Sequence, residues 1–222
     1  MPSKSTFVLA VDAIQGQLRP YLKSAGFRAR GRTFNRLTAD GLTQVINLQM
    51  SAVDPPGANP IRWLRQIPRG MFTVNLGIHV PEVTANHGAG RSKSWVQEYD
   101  CCIRSCIGEL VDSGDDLWWP ASDDPSVHAD VRYRVEADAI PFLERFRSRD
   151  LILSELAERS DTLGGGGPAR IVCAIILAGR GNAAAARSLL LEQVKETRNS
   201  HPQHADYVRE LAGRLKLGRL DG

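Results

Sequence analysis

Residues 26–51, GFRARGRTFNRLTADGLTQVINLQMS, and residues 71–80, MFTVNLGIHV, decide the fold of this chain. In the second segment Phe72, Val74, Leu76, Ile78 and Val80 alternate with Thr73, Asn75, Gly77 and His79. Side chains on a strand point to opposite faces in turn. The alternation therefore predicts one oily face for a core and one polar face for solvent or a partner. The preceding stretch repeats the pattern. Leu42, Ile46, Leu48 and Met50 fall on one face; Thr43, Asn47, Gln49 and Ser51, with Val45 beside them, fall on the other. Asp40-Gly41 suits the positive-φ backbone of a tight hairpin. Phe27 to Leu37 is a first, less regular strand, and the phase break at Thr33 and Phe34 predicts a bulge near Gly31. The three strands form an antiparallel meander.

A helix precedes them. Phe7, Val11, Ile14, Leu18 and Leu22 recur at helical spacing, so one stripe is apolar and can cover the oily face of the sheet. Ser3 or Ser5 can cap its start, Gly26 can end it, and Pro20 should kink its last turn. After the second strand, Asp54 to Pro60 reads as a loop and Ile61 to Gly70 as a short helical turn. Glu82 to Ser94 reads as a further loop. Trp95 to Leu110 returns to the sheet as a fourth strand, although Cys102, Arg104 and Cys106 also suit a helix. Gly114 to Pro125 is a polar loop around Trp118-Trp119. From Asp130 to about Arg147 a helix shows Val131, Val135, Ala139, Phe142 and Phe146 on one side, kinked or split by Pro141, and a short helix capped by Ser148 or Asp150 runs to Leu156.

Four glycines and a proline, Gly164 to Pro168, form a joint. Beyond it Ile171 to Leu177, Ala183 to Val194 and Ala205 to Leu215 read as helices of a hairpin repeat, too small to be stable alone. The organisation predicted is an α+β domain over residues 1–160, a linker over 161–168 and a small helical region over 169–222. The fold class is α+β: an antiparallel sheet of four to five strands with helices packed on one face, plus a C-terminal helical hairpin region.

The chain has 222 residues, 42% apolar and 24% charged, as ordinary globular proteins do. Its start lacks the pattern of a secretory leader, and its longest oily run, Ile171 to Ala178, is far too short to span a membrane. Cys101, Cys102, Cys106 and Cys173 are then expected as free thiols of a cytoplasmic protein. Net charge is +3, unevenly spread: residues 1–36 hold seven Lys/Arg against one acid, whereas residues 97–150 hold thirteen acids against six bases. Mutual attraction on folding is the simpler reading of that asymmetry; a basic surface for an anionic partner is the sharper one.

The order GFRARGRTFNRLTADGLTQVINLQMS, FTVNLGIHVPEV, CIRSCIGEL, LWWP and IPFLERF resembles the bacterial domain-of-unknown-function family 4304 across roughly residues 8–146. The resemblance implies an α+β fold with an antiparallel sheet. Its motifs are structural, and it carries no activity. One departure is the abundance of cysteine around Cys102 and Cys106.

No catalytic constellation stands out. Cys101-Cys102-x-x-x-Cys106 lacks the paired knuckles of structural zinc, so neither metal nor cofactor is expected. A Cys–His pair such as Cys102 or Cys106 with His79 lacks an elbow motif. The glycine run lacks the Lys-Ser/Thr ending of a phosphate loop. Asn47, Gln49, Asn75 and His79 on the polar face, extended by Arg28, Arg30 and Arg32, form the best candidate surface, because a sheet holds side chains rigidly. Trp118 and Trp119 are a plug or an exposed binding pair. These features favour a non-enzymatic binding protein, of immunity or regulatory type, whose sheet face or helical tail engages another protein and whose C-terminal helices could pair in an oligomer. The alternatives are a small-molecule hydrolase or transferase on the polar sheet face, and an RNA or anion binder using the Arg28–Arg36 stripe. The missing aromatic pairs of an RNA-binding sheet disfavour nucleic acid.

Overall fold

The computed structural model describes residues 4–51, 68–86, 94–111, 117–157 and 168–220. The expected loop over Asp54–Pro60 and most of the expected turn over Ile61–Gly70 lie outside the described residues, as does most of the glycine joint.

Helix α1 (Thr6–Ser24) begins where the Ser5 hydroxyl accepts from Val8 N at 3.3 Å. It runs through Pro20 and stops where Gly26 turns to φ +88° and Phe27 N donates back to Leu22 O at 2.8 Å. The sheet is antiparallel, in the order β1 (Arg28–Arg30), β2 (Thr33–Leu37), β3 (Thr43–Met50), β4 (Met71–His79) and β5 (Ile103–Cys106); a two-residue strand β6 (Trp119–Pro120) also pairs with β4. The expected bulge is instead a hairpin: Arg30 pairs with Thr33 across Gly31-Arg32, with Gly31 at φ +57°. A single irregular strand thus becomes two. The Asp40-Gly41 turn forms as the sequence predicts, with Gly41 at φ +76°.

Strand phase agrees with the sequence on the oily side. Phe34, Ile46, Leu48, Phe72, Val74, Leu76 and Ile78 are buried with Val11, Ile14, Leu18 and Leu22 of α1 in one core. Gln44, polar yet fully buried on this face, is satisfied: its Nε2 donates to Leu143 O at 2.6 Å and its Oε1 accepts from Arg36 Nε at 2.7 Å.

The other face differs from expectation. Residues 94–101 cross it as a strap, with a short 3₁₀ turn at Glu98–Asp100, and Val96 and Cys101 bury Val45 in a second, small cluster. Thr73 and His79 are buried as well, at 4% and 8% exposure, so the polar face is open only in part. The predicted long fourth strand is short because this strap and a 3₁₀ turn at Ile107–Leu110 take up the rest of residues 95–110. The loop expected from Glu82 starts as helix α2 (Pro81–Asn86), with Pro81 in its first turn.

Helix α3 (Pro125–Arg134), a π turn (Val135–Ala139) and α4 (Ile140–Arg145) follow on the oily side; the wide turn lies just ahead of Pro141, which lacks the N–H of a regular ladder. Ser148 opens α5 (Arg149–Ala157), its hydroxyl accepting from Leu151 N at 3.3 Å. Then α6 (Ala169–Gly179), α7 (Ala183–Thr197) and α8 (Pro202–Arg214) stack in sequence. Helix α6 packs on α5 and α2, and its Ile171, Val172, Ile175 and Ile176 belong to the same continuous core as the sheet. No helix among the described residues is long and apolar enough to cross a membrane.

Candidate functional site

On the polar face the described residues leave a cleft of about 860 Å³. Its floor is the β1–β4 end of the sheet, with Arg28, Asn35, Thr43 and His79, and it is bounded by α2 and by Trp95 of the strap. Cross-strand pairing sets this layout: Arg28 lies opposite Asn35 and Thr43 opposite His79. Leu37 lines the cleft with 73% of its side chain open, the most exposed large apolar residue among those described.

Two polar atoms here have no hydrogen-bond partner although they are buried: Asn35 Oδ1 and Trp95 Nε1. A buried donor or acceptor left unmade costs about 1–3 kcal/mol, so each is a place that a bridging water or a ligand group would fill. Arg28 is exposed, and among the described residues no ion pair or hydrogen bond holds its guanidinium.

The far end is braced. Arg149 Nε and Nη2 donate to Glu82 Oε1 and Oε2 at 2.5 and 2.8 Å, Arg149 N donates to Asp40 Oδ2 at 2.6 Å, and Nη1 donates to Asp40 O. One guanidinium therefore ties the start of α5 to α2 and to the β2–β3 turn. Burial pulls the Glu82 carboxyl up, but the Arg149 hydrogen bonds outweigh it and hold Glu82 below the usual carboxylate range. A carboxylate so engaged is a poor proton acceptor.

The sequence candidates separate. Arg28 and His79 line the cleft. Arg30 is exposed on the edge strand beside it. Arg32 turns the other way and donates to Asp12 Oδ1 at 3.1 Å, and Arg36 pairs with Glu144 at 2.5 Å, so these two do not extend an open basic stripe. The Arg36–Glu144 pair also realises the attraction between the basic start and the acidic middle of the chain. Asn47 Nδ2 donates to Thr33 Oγ1 at 2.9 Å and Asn75 Nδ2 donates to Gln49 Oε1; Asn47, Asn75 and Gln49 lie toward the opposite end of the face from the cleft. Trp119 is a plug: it stacks on Phe72 at 5.6 Å and its Nε1 donates to Asp130 at 2.7 Å. Trp118 is half-buried beside it. Asn35, Leu37 and Trp95 carry no local motif. The Gly31 hairpin and the strap bring them together, and neither is visible as hydrophobic period.

Thiol chemistry is unfavourable. Burial pushes the Cys102 thiol up to about 12 and Cys173 up to about 11, and it raises Cys101 strongly, so all three stay protonated at neutral pH. Among the described residues no group of three or more His, Cys, Asp and Glu side chains is placed to hold a metal ion. A second groove of about 590 Å³ lies in the helical tail, lined by Leu153, Leu177, Leu189 and Cys173.

No protein-family model, no curated protein and no solved structure matches this chain.

Proposed function

We propose that this chain is a non-enzymatic binding protein and that the cleft on the polar face of its sheet recognises another protein. The observation that carries this reading is the conjunction in one cleft of an open Leu37, an uncommitted Arg28 and two unpaired buried polar atoms, Asn35 Oδ1 and Trp95 Nε1. An apolar contact beside unfilled polar positions suits a partner's side chain. Two kinds of reactive group weigh against catalysis: Glu82 is engaged by Arg149, and the thiols of Cys101, Cys102 and Cys173 are held protonated. The free thiols suit a reducing compartment, so we place the protein in the cytoplasm, as a regulatory or immunity-type factor.

Photo-crosslinking in cells tests the reading. A photoreactive residue at Leu37 is expected to give one dominant protein adduct, abolished by Arg28→Glu. The same residue at Tyr133, exposed on α3, is expected to give none. Equal labelling from both positions would overturn the proposal.

A further inference from the structure

We propose that the cleft binds a carboxylate flanked by an amide N–H, the chemistry of the last residue of a peptide chain, with an apolar side chain laid on Leu37. The inference rests on the binding-protein reading above and adds what the partner must present. Each unfilled group asks for one feature. The exposed Arg28 guanidinium has no ion pair among the described residues, and it offers two parallel donors to a planar carboxylate. The Trp95 indole can only donate, so its buried, unpartnered N–H calls for an acceptor. Asn35 Oδ1 can only accept, so it calls for a donor, which a peptide amide supplies. Leu37 and Val96 supply apolar contact.

The charge layout sets direction. Arg28 stands on β1, whereas Glu82 follows β4, three strands away. Three strand spacings are roughly 14 Å, so Glu82, the one carboxylate among the described residues lining the cleft, sits far from the anion position, and Arg149 neutralises it. An inorganic anion would satisfy Arg28 and the indole but bring nothing apolar to Leu37, and the O–H of phosphate is its one donor for Asn35 Oδ1. A carboxylate with an adjacent N–H satisfies all three.

The test uses the full chain and three probes, N-acetyl-L-leucine, its C-terminal amide and inorganic phosphate, with binding read by calorimetry and by the indole resonance of Trp95. N-acetyl-L-leucine is expected to bind saturably and to move that resonance, and the amide is expected to bind at least about tenfold more weakly, the loss set by one charge-assisted contact. Arg28→Gln should weaken the acid by about tenfold or more. Trp95→Phe, which removes the indole N–H together with part of the ring while keeping an aromatic side chain, should weaken it by roughly fivefold. Arg30→Gln, on the edge strand outside the cleft, should change nothing. Thermal unfolding of each variant separates lost binding from lost folding. The proposal is overturned if the amide binds as tightly as the acid, if phosphate competes as well as the acid, or if no probe binds. If the acid fails while the Leu37 crosslink persists and still needs Arg28, the ligand chemistry is wrong and the binding cleft stands. If both fail, the cleft itself is wrong.

Discussion

Gly77 and Cys101 occupy one space: a methyl group on Gly77 would stand 2.6 Å from the Cys101 Sγ and 2.8 Å from its Cβ. The strap that closes half of the polar face therefore depends on the absence of a side chain in the middle of β4. Gly77→Ala should cost about 2 kcal/mol in urea unfolding, a typical penalty for overpacking. The same change in a Cys101→Gly background should cost well under half as much, because both clashing atoms are gone. Equal losses in the two backgrounds would show that the strap does not lie against β4.

Strand phase is open to a simpler test. Ile78 is fully buried on the oily face, so Ile78→Asp places an unpaired carboxylate in the core and should abolish the native circular dichroism signal at neutral pH. A folded variant of near-native stability would put Ile78 at the surface and reverse every face assigned to β3 and β4.

Acid should loosen the far end of the cleft. Glu82 has a folded-state pKa below its unfolded value, so the unfolded chain binds more protons there and stability rises with pH across that window. The contribution is fully present above the unfolded pKa, about 4.3, and is lost as pH falls through the lower folded value. Arg149→Gln removes the partner. It should lower stability at pH 7 by about 1–3 kcal/mol, as expected when a partly buried charged hydrogen-bonded pair is broken, and flatten the pH dependence below 5. Parallel wild-type and variant profiles over that range would contradict the role given to Arg149.

The thiols should divide by burial. Cys101, Cys102 and Cys173 are buried with raised pKa, whereas Cys106 is half-buried. An aromatic disulfide reagent at pH 7.5 should label about one thiol quickly, and all four only after unfolding. Fast labelling of three or four in the native state would contradict this packing.

The meander, the covering helix, the split at Pro141 and the three tail helices were legible in the sequence because each rests on local spacing or a local breaker. Phe72 to Val80 and Val11 to Leu22 announce their buried faces by period alone. Three things were not legible. Gly31 marks a two-residue hairpin as readily as a bulge, and only the pairing of Arg28 with Asn35 decides between them. Val45, placed among polar residues, signals a second packed patch, but its partners Val96 and Cys101 lie about fifty residues away. The cleft depends on both features, so the period-two reading found Arg28 and His79 yet could not find Asn35 or Trp95. It also grouped Arg32 and Arg36 with Arg28, although Arg32, in the hairpin turn, meets Asp12 of α1 and Arg36, on β2, meets Glu144 of α4.

The tail is expected to support the domain it follows. A chain shortened to residues 1–164 loses α6, whose Ile171, Ile175 and Ile176 bury against α5 and α2. It should expose Val83, Ile152 and Leu156, bind a hydrophobic dye and melt lower by several degrees. An unchanged melting point would make the tail an independent module.

The most direct test of the recognition cleft is an NMR titration of the full chain with the partner crosslinked at Leu37. Shift changes are expected at the amides of Arg28, Asn35, Leu37 and Thr43 and at the Trp95 indole, with Asn47, Asn75 and Tyr133 unmoved. Changes confined instead to Leu153, Leu177 and Leu189, around the groove of the helical tail, would contradict it and move the binding site to the C-terminal helices.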